Sequence, residues 1–397
     1  MEFFWFAVRF AAVTAGFAVL HVYLWRRLCR DTTAPGSPWR RVGAAALAVL
    51  AAFGVAARFA VPSSLPPWAQ ALIGWPGLVW FGLFLYLLGL LVLAEPLRWL
   101  LLRRRPPDRP AEDAPEPPGP TRRQVVSRAV GLSAAAAATA VAGYGLAEAH
   151  RTPRLRAVTV PLEKLGREFD GYRIAVVGDT HFSALRGAGF CERVVDRING
   201  ARPDLIAFVG DLASGEADDL REATEPLARL DARDGAYFVT GNAEHYTGAL
   251  QWQMRVQELG MTPLPNVHVE LPGFDLAGVN DLIVEQRGLT GEVGPDFAAA
   301  LEGRDPARAS ILMAHQPRAV EQAVDWGVDL QLSGHTHGGQ MWPVHLATRI
   351  RDGQVGGLHR YGGTTLYVTN GAGTNGPPMR VGAPSDITVM TLRSARS

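Results

Sequence analysis

Lysine is almost missing from this chain. Of its 39 basic residues only Lys164 is a lysine, so the positive charge is nearly all arginine, a bias expected of a GC-rich bacterial genome and silent about chemistry. Cysteine is as scarce. The two present, Cys29 and Cys191, fall in regions expected on different sides of a membrane, which leaves no disulfide framework. Neither sign of charge is in excess, for 39 basic and 38 acidic residues leave a formal net charge of +1. With 48% hydrophobic residues, that balance excludes a disordered chain and one that seeks nucleic acid by charge. No nucleic-acid partner is expected.

What the chain has is apolar length. Four stretches, 3–24, 42–61, 71–94 and 125–147, reach the roughly 20 residues that cross a bilayer. The second, VGAAALAVLAAFGVAARFAV, and the third, ending FGLFLYLLGLLVLA, have no polar face of the kind a soluble helix shows. Arginine placement orients them. The connection after the first span holds Arg26, Arg27, Arg30, Arg40 and Arg41, and the one after the third begins at Arg98 and ends at Arg123; VPSSLPPWAQ, between the second and third, carries no charge. By the positive-inside rule both basic loops are cytoplasmic, and everything after residue 150 lies outside. Arg9 and Arg58 sit near the outer ends of their spans, where long side chains snorkel.

The stretch RRRPPDRPAEDAPEPPGPTRR reads as a flexible, Pro-rich linker. Its end, TRRQVV before an Ala-rich segment, has a pattern similar to a twin-arginine export signal, but a basic flank on an ordinary span is the favoured reading. The expected organisation is a three-helix transmembrane region over 1–97, a cytoplasmic linker over 98–124, a fourth span or signal anchor over 125–149, and an extracytoplasmic domain over 150–397. The expected location is a bacterial inner or plasma membrane, crossed several times.

From about residue 158 short apolar runs alternate with amphipathic segments. RIAVVGDTH, DLIAFVGDL and GAYFVTGN are β-rich runs ending at polar clusters, separated by helix-like stretches such as FCERVVDRING. Such β-α-β succession predicts an α/β domain built on a largely parallel, buried sheet, whose site gathers beyond the carboxyl ends of its strands. There the chain places Asp179 and His181, then Asp211, then Asn242, then His315 after ASILMAH, then His335 and His337 in LQLSGHTHGGQ. Imidazole nitrogens with carboxylate and amide oxygens suit zinc, iron or manganese better than calcium. One ion does not need seven ligands. Two do if a carboxylate bridges them, and a pair roughly 3.5–4 Å apart generates a hydroxide nucleophile while clamping phosphoryl oxygens. The HTH pair, as alternating residues on an extended segment, is expected to turn both rings to one side, and the following glycines permit close backbone approach.

At these motifs the chain resembles the calcineurin-like metallophosphoesterases. The resemblance covers about residues 158–395, and the closing stretch LYVTNGAGTNGPPMRVGAPSDITVMTL is similar to the family's membrane-anchored branch. It implies a four-layer α/β/β/α sandwich around a dimetal centre, with Asp179, His181 and His337 on one ion, Asn242, His315 and His335 on the other, and Asp211 bridging them. It implies a phosphoester or pyrophosphate substrate, cleaved with two divalent ions and the bridging carboxylate in catalytic roles.

The chain departs from the family at its third motif. GNHE or GNHD, whose His contacts the phosphate and assists the leaving group, here reads GNAEH. His245 takes over that role if residues 243–245 are extended; in a helix, 243 and 245 point about 200° apart. Asn370 stands where membrane-branch relatives commonly carry Arg. The expected function is a membrane-anchored phosphoesterase whose substrate class stays open between a lipid, lipid-linked pyrophosphate or other cell-envelope phosphoester and a soluble nucleotide or sugar phosphate, with a catalytically weak metal- or phosphate-binding membrane module as the alternative. Met341, Trp342, Pro377, Pro378 and Met379 are apolar residues of late loops, suited to a lipid tail or to loop packing.

Overall fold

The computed structural model describes residues 2–60, 65–103 and 119–395. It divides into two compact units: residues 1–61 with 69–144, and 62–68 with 145–397. Each of the four apolar stretches is helical, in α1 (Glu2–Trp25), α2 (Pro38–Ala60), α3 (Pro67–Arg103) and α4 (Arg122–His150). Three of them, α2, α3 and α4, are long and apolar enough to cross a membrane. Gly77 sets the approach of two of them, for a Cβ there would collide with the Phe53 carbonyl, the close backbone contact that small residues allow between apolar helices.

The expected linker is shorter than 98–124. Residues 98–103 continue α3 and 122–124 open α4, while 104–118, with Arg104, Arg105 and Arg109, lie outside the described residues, as does the side chain of Arg9. Charged residues that read as loop flanks form a network inside the first unit. Arg27 bonds Asp31 at 2.8 Å and Glu95 at 2.6 Å, and Arg98 bonds Asp31 at 3.1 Å and Glu95 at 3.3 Å. The Tyr23 hydroxyl donates to Glu95 at 2.8 Å.

The second unit holds two six-stranded sheets. The first runs β1 (Arg154–Leu162), β12 (Asp386–Ser394), β2 (Arg173–Val177), β3 (Leu205–Phe208), β4 (Ala236–Phe238), β5 (Thr262–Pro263) across its width. The second runs β10 (Gly357–Tyr361), β11 (Thr364–Val368), β9 (Leu330–Ser333), β8 (Ala309–Met313), β7 (Phe274–Gly278), β6 (Val267–Leu271). Both are mixed, not wholly parallel. β2 to β5 are parallel, as are β7, β8, β9 and β11, while β12 against β2 and the pairs β6–β7 and β10–β11 are antiparallel.

Strand alternation explains four layers. Side chains two apart share a sheet face, so Ile174, Val176, Leu205 and Ala207 meet Leu276, Ile311, Met313 and Leu332 between the sheets. The alternate residues Ala175, Val177, Ile206 and Phe208 face outward onto Val194 and Ile198 of α5 (Ala188–Gly200) and onto Trp252 and Val256. On the other sheet Ala277, Leu312 and Ala314 face Ala300, Leu301 and Ala323. Both sheets are therefore apolar on both faces, as runs such as RIAVV and ASILM demand. The remaining helices are short or peripheral: α6 (Arg221–Thr224), α7 (Asn242–Thr247), α8 (Ala249–Glu258), α9 (Ile283–Arg287), α10 (Phe297–Leu301), α11 (Val320–Asp325) and α12 (His345–Asp352).

Candidate metal centre

Carboxyl ends of strands from both sheets bring the seven expected residues together. Asp179, Asp211 and Asn242 follow β2, β3 and β4; His315 follows β8, and His335 and His337 follow β9. Asp179, His181, Asp211 and His337 each present one ligand-type atom within 4.8 Å of the others, and so do Asp211, His315 and His335. Asp211 belongs to both groups. Its Oδ2 lies 3.5 Å from His181 Nε2 and 3.4 Å from His315 Nε2. Asn242 Oδ1 joins the second group, 2.8 Å from His335 Nδ1 and 3.3 Å from His315 Nε2.

The backbone is bent to make this convergence. Asp179, His181, Asp211, His335 and His337 all have positive φ, between 46° and 72°. Such conformations are sparsely populated by non-glycine residues and concentrate where a surrounding structure holds functional side chains. The HTH segment is accordingly not extended. Its two histidines turn to different groups, because the left-handed residues break the alternation that an extended strand would impose.

Other contacts orient the imidazoles. His315 Nδ1 lies 2.8 Å from the Val209 carbonyl and His181 Nδ1 2.8 Å from Ser214 Oγ, which turns each Nε2 inward. His335 presents Nδ1 to Asn242 while its Nε2 lies 3.8 Å from Asp352. Partners of this kind fix ring orientation at metal sites. His181 and His337 bring their Nε2 atoms to 3.0 Å of each other, and His337 Nδ1 is buried with no hydrogen-bond partner among the described residues.

Burial drives the His181 and His335 imidazoles down to about 4 and His337 well below its usual value, so all three are neutral at neutral pH. Burial also pushes the Asp179 carboxyl up to about 7. Against the same burial, His315 and Asp211 stabilise each other's charged forms, His315 lying well above its usual value and Asp211 below the carboxylate range. Facing lone pairs, two buried carboxylates and a half-buried amide oxygen form a donor set that fits divalent cations.

Residues 172–339 match the calcineurin-like phosphoesterase family. Over 393 residues the chain is 33% identical to a transmembrane protein with metallophosphoesterase domain of Danio rerio, a match spanning 94% of this chain and 86% of that protein. The chain belongs to the calcineurin-like phosphoesterase family. A Bos taurus protein of the same description is 35% identical over 271 residues, 65% of this chain and 61% of its own length. An uncharacterized metallophosphoesterase of Helicobacter pylori is 33% identical over 258 residues, 64% and 68% of the two chains. Relatives from animals and bacteria alike leave the bacterial source inferred from arginine usage without support.

In this metallophosphoesterase the GNAEH motif opens α7. Residues 243–245 are therefore helical, and the condition under which His245 would stand in for the family histidine is not met. The His245 ring is buried, with Nδ1 2.7 Å from Glu292 and Nε2 3.0 Å from Thr240 Oγ1. Ala243 contributes only its backbone N–H, which donates to Asp211 Oδ1 at 2.8 Å. The retained acid has a structural task. Glu244, fully buried, accepts the N–H groups of Gly241 at 2.7 Å, Asp211 at 3.0 Å and Ala213 at 3.2 Å, tying the turn after β4 to the turn after β3. Gly241 is required between them, since a Cβ there would collide with the Asp211 carboxylate.

Sequence reasoning missed Arg380. Its guanidinium is fully buried and donates to the carbonyls of Gly373, His337, Ala383, Asn370 and Gly371 at 2.8 to 3.2 Å. An arginine that spends its donors on carbonyls fixes loop shape and has none left for a phosphate. Only a run of loop carbonyls around a lone Arg would have signalled this, and no spacing encodes it. Among the expected lipid-facing residues, Met341 and Met379 are buried, whereas Trp342 is 60% exposed.

Proposed function

We propose that this protein is a membrane-anchored phosphoesterase that hydrolyses a phosphoester with two divalent ions held by the seven converging residues. The position of Asp211 in both ligand groups is the observation that carries the reading. Asp179, His181 and His337 would hold one ion, Asn242, His315 and His335 the other, with Asp211 between. When bound, such a pair supplies a hydroxide nucleophile near neutral pH and charge neutralisation for the phosphoryl oxygens. Asp211 keeps its ligand geometry because its other oxygen is held by the Ala243 N–H and its own N–H by Glu244. Val209, Ser214 and Asp352 hold the rings of His315, His181 and His335.

With Ala at 243 and the His245 ring engaged elsewhere, neither residue protonates a departing alkoxide. Acidic, aryl-type leaving groups depart without a proton, so the enzyme works best on these. Metal analysis of the purified chain, with phosphomonoester, phosphodiester and pyrophosphate panels, tests the reading. Bound divalent metal and metal-dependent turnover are expected; metal binding without hydrolysis of any panel member would favour a binding module.

The basic ends of the helices support one orientation, with N-terminus and catalytic domain on the side opposite the Arg-rich loops. A reporter active only in the cytoplasm should work when fused within 105–120 and fail after Ser397. The reverse pattern would overturn this orientation.

A further inference from the structure

The sequence WPVHLATRIR, over residues 342–351, carries apolar side chains outward. Trp342, Val344, Leu346 and Ile350 are 60%, 46%, 57% and 87% exposed. Leu346 and Ile350 are four apart on α12, hence on one face. Arg349 is exposed in the same turn, and Arg351, also exposed, is paired with Asp352 at 2.8 Å. An apolar ridge flanked by arginines is the composition of an interfacial helix that sits among anionic headgroups.

Two connections single out this ridge within the catalytic unit. One leads to the candidate metal centre: α12 ends at Asp352, whose carboxylate lies 3.8 Å from His335, and its first residue packs so closely on Gly339 that a Cβ there would collide with His345. The other leads to α4. Trp342 N–H donates to the Val381 carbonyl at 2.8 Å, and Arg380 N–H, one residue earlier, donates to the Gly145 carbonyl of α4 at 2.9 Å. Only residues 151–153 then separate α4 from β1. The ridge thus adjoins the end of a helix that is long and apolar enough to be a membrane span.

We infer that the ridge from Trp342 to Ile350 is a lipid-docking face, which seats the catalytic unit on the bilayer surface and opens the metal centre to the phosphates of lipid headgroups. The inference rests on the phosphoesterase reading for the headgroup access, but not for the docking. Its occupant is the lipid surface itself, because covalent continuity with α4 keeps that surface within reach and Arg349 matches its charge. The depth is that of the headgroup and acyl boundary, the ordinary position of a short amphipathic helix.

The test uses the full chain in vesicles of phosphatidylcholine and phosphatidylglycerol. With Cys29→Ser and Cys191→Ala as background, Ile350→Cys is labelled with an environment-sensitive fluorophore and quenched by lipids bearing a shallow nitroxide. Ala307→Cys is the control, exposed at the amino end of β8, away from the site. Strong quenching at 350 and little at 307 is expected. Equal quenching at both positions overturns the docking face, whatever the activity. Phosphatidic acid added to the vesicles then competes with a soluble aryl phosphomonoester. It should inhibit the wild-type chain about tenfold more strongly than the Leu346→Asp, Ile350→Asp double variant, whose turnover without phosphatidic acid is unchanged. Equal inhibition of the two overturns headgroup access. Absence of aryl-ester turnover in the wild type counts against the phosphoesterase reading alone, since the quenching result does not depend on it.

Discussion

Each unit of this protein gathers a knot of ionisable side chains, half-buried in the helical unit and buried in the catalytic one, and the two knots are built on opposite rules. In the helical unit Arg27 and Arg98 face Asp31 and Glu95, so two cations meet two anions at 2.6 to 3.3 Å. In the catalytic unit Asp179 and Asp211 share their space with His181, His315, His335 and His337, of which three are held neutral by burial. The first knot balances its own charge. The second pairs charged His315 with Asp211 and still points three neutral imidazoles and the Asp179 carboxyl at shared points. A buried pair completed by its partner is structural, whereas unmatched convergent donors define a site for something else.

The strongest way to break this contrast is Asp211→Asn. If that carboxylate serves both ligand groups, metal content should fall at both positions and turnover by about 10³-fold or more, whereas His337→Ala should empty mainly one position. Elemental analysis with steady-state rates decides it, and full metal occupancy in Asp211→Asn would sink the dimetal reading. The matching experiment in the other knot is Asp31→Ala, which leaves Arg27 and Arg98 to share the single carboxylate of Glu95. It should cost about 3 kcal/mol of stability in the helical unit, read by denaturation in detergent, with catalytic turnover and metal content of the folded protein unchanged. A loss of metal there would mean that the two knots are not independent.

Smaller effects sharpen the picture around GNAEH. Ala243→His should raise alkyl-ester turnover by about 10²-fold and aryl-ester turnover far less, measured as a ratio of kcat/KM values. His245→Ala removes a ring bonded to Glu292 and Thr240, so stability should fall by about 1 kcal/mol and both ester classes should respond alike. An alkyl-specific loss would restore His245 as the leaving-group acid.

Much of this architecture is legible in one dimension because its causes are local. After Arg173 the run IAVV is apolar at every position, so it must be covered on both faces, and that requirement alone predicts a buried central strand. The polar residue after each such run is equally visible. Invisible are contacts whose partners lie far apart in the chain. Glu95 reads as a stray acid near the end of a span until it meets Arg27, 68 residues earlier. Arg380 carries no signal in the chain, and its role emerges only where five carbonyls enclose it.

The chain by itself determined the two kinds of region, the apolar helices and the αβ alternation, since hydrophobic length and period act through nearest neighbours. It also determined which side chains were available to ligate a metal. Only the tertiary structure decided how they divide. Positive φ at His335 and His337 sends neighbouring histidines to different groups, and helix formation at Asn242 turns His245 into a pocket closed by Glu292 and Thr240. Both outcomes depend on backbone conformations that the surrounding packing imposes, and no local propensity encodes a left-handed histidine.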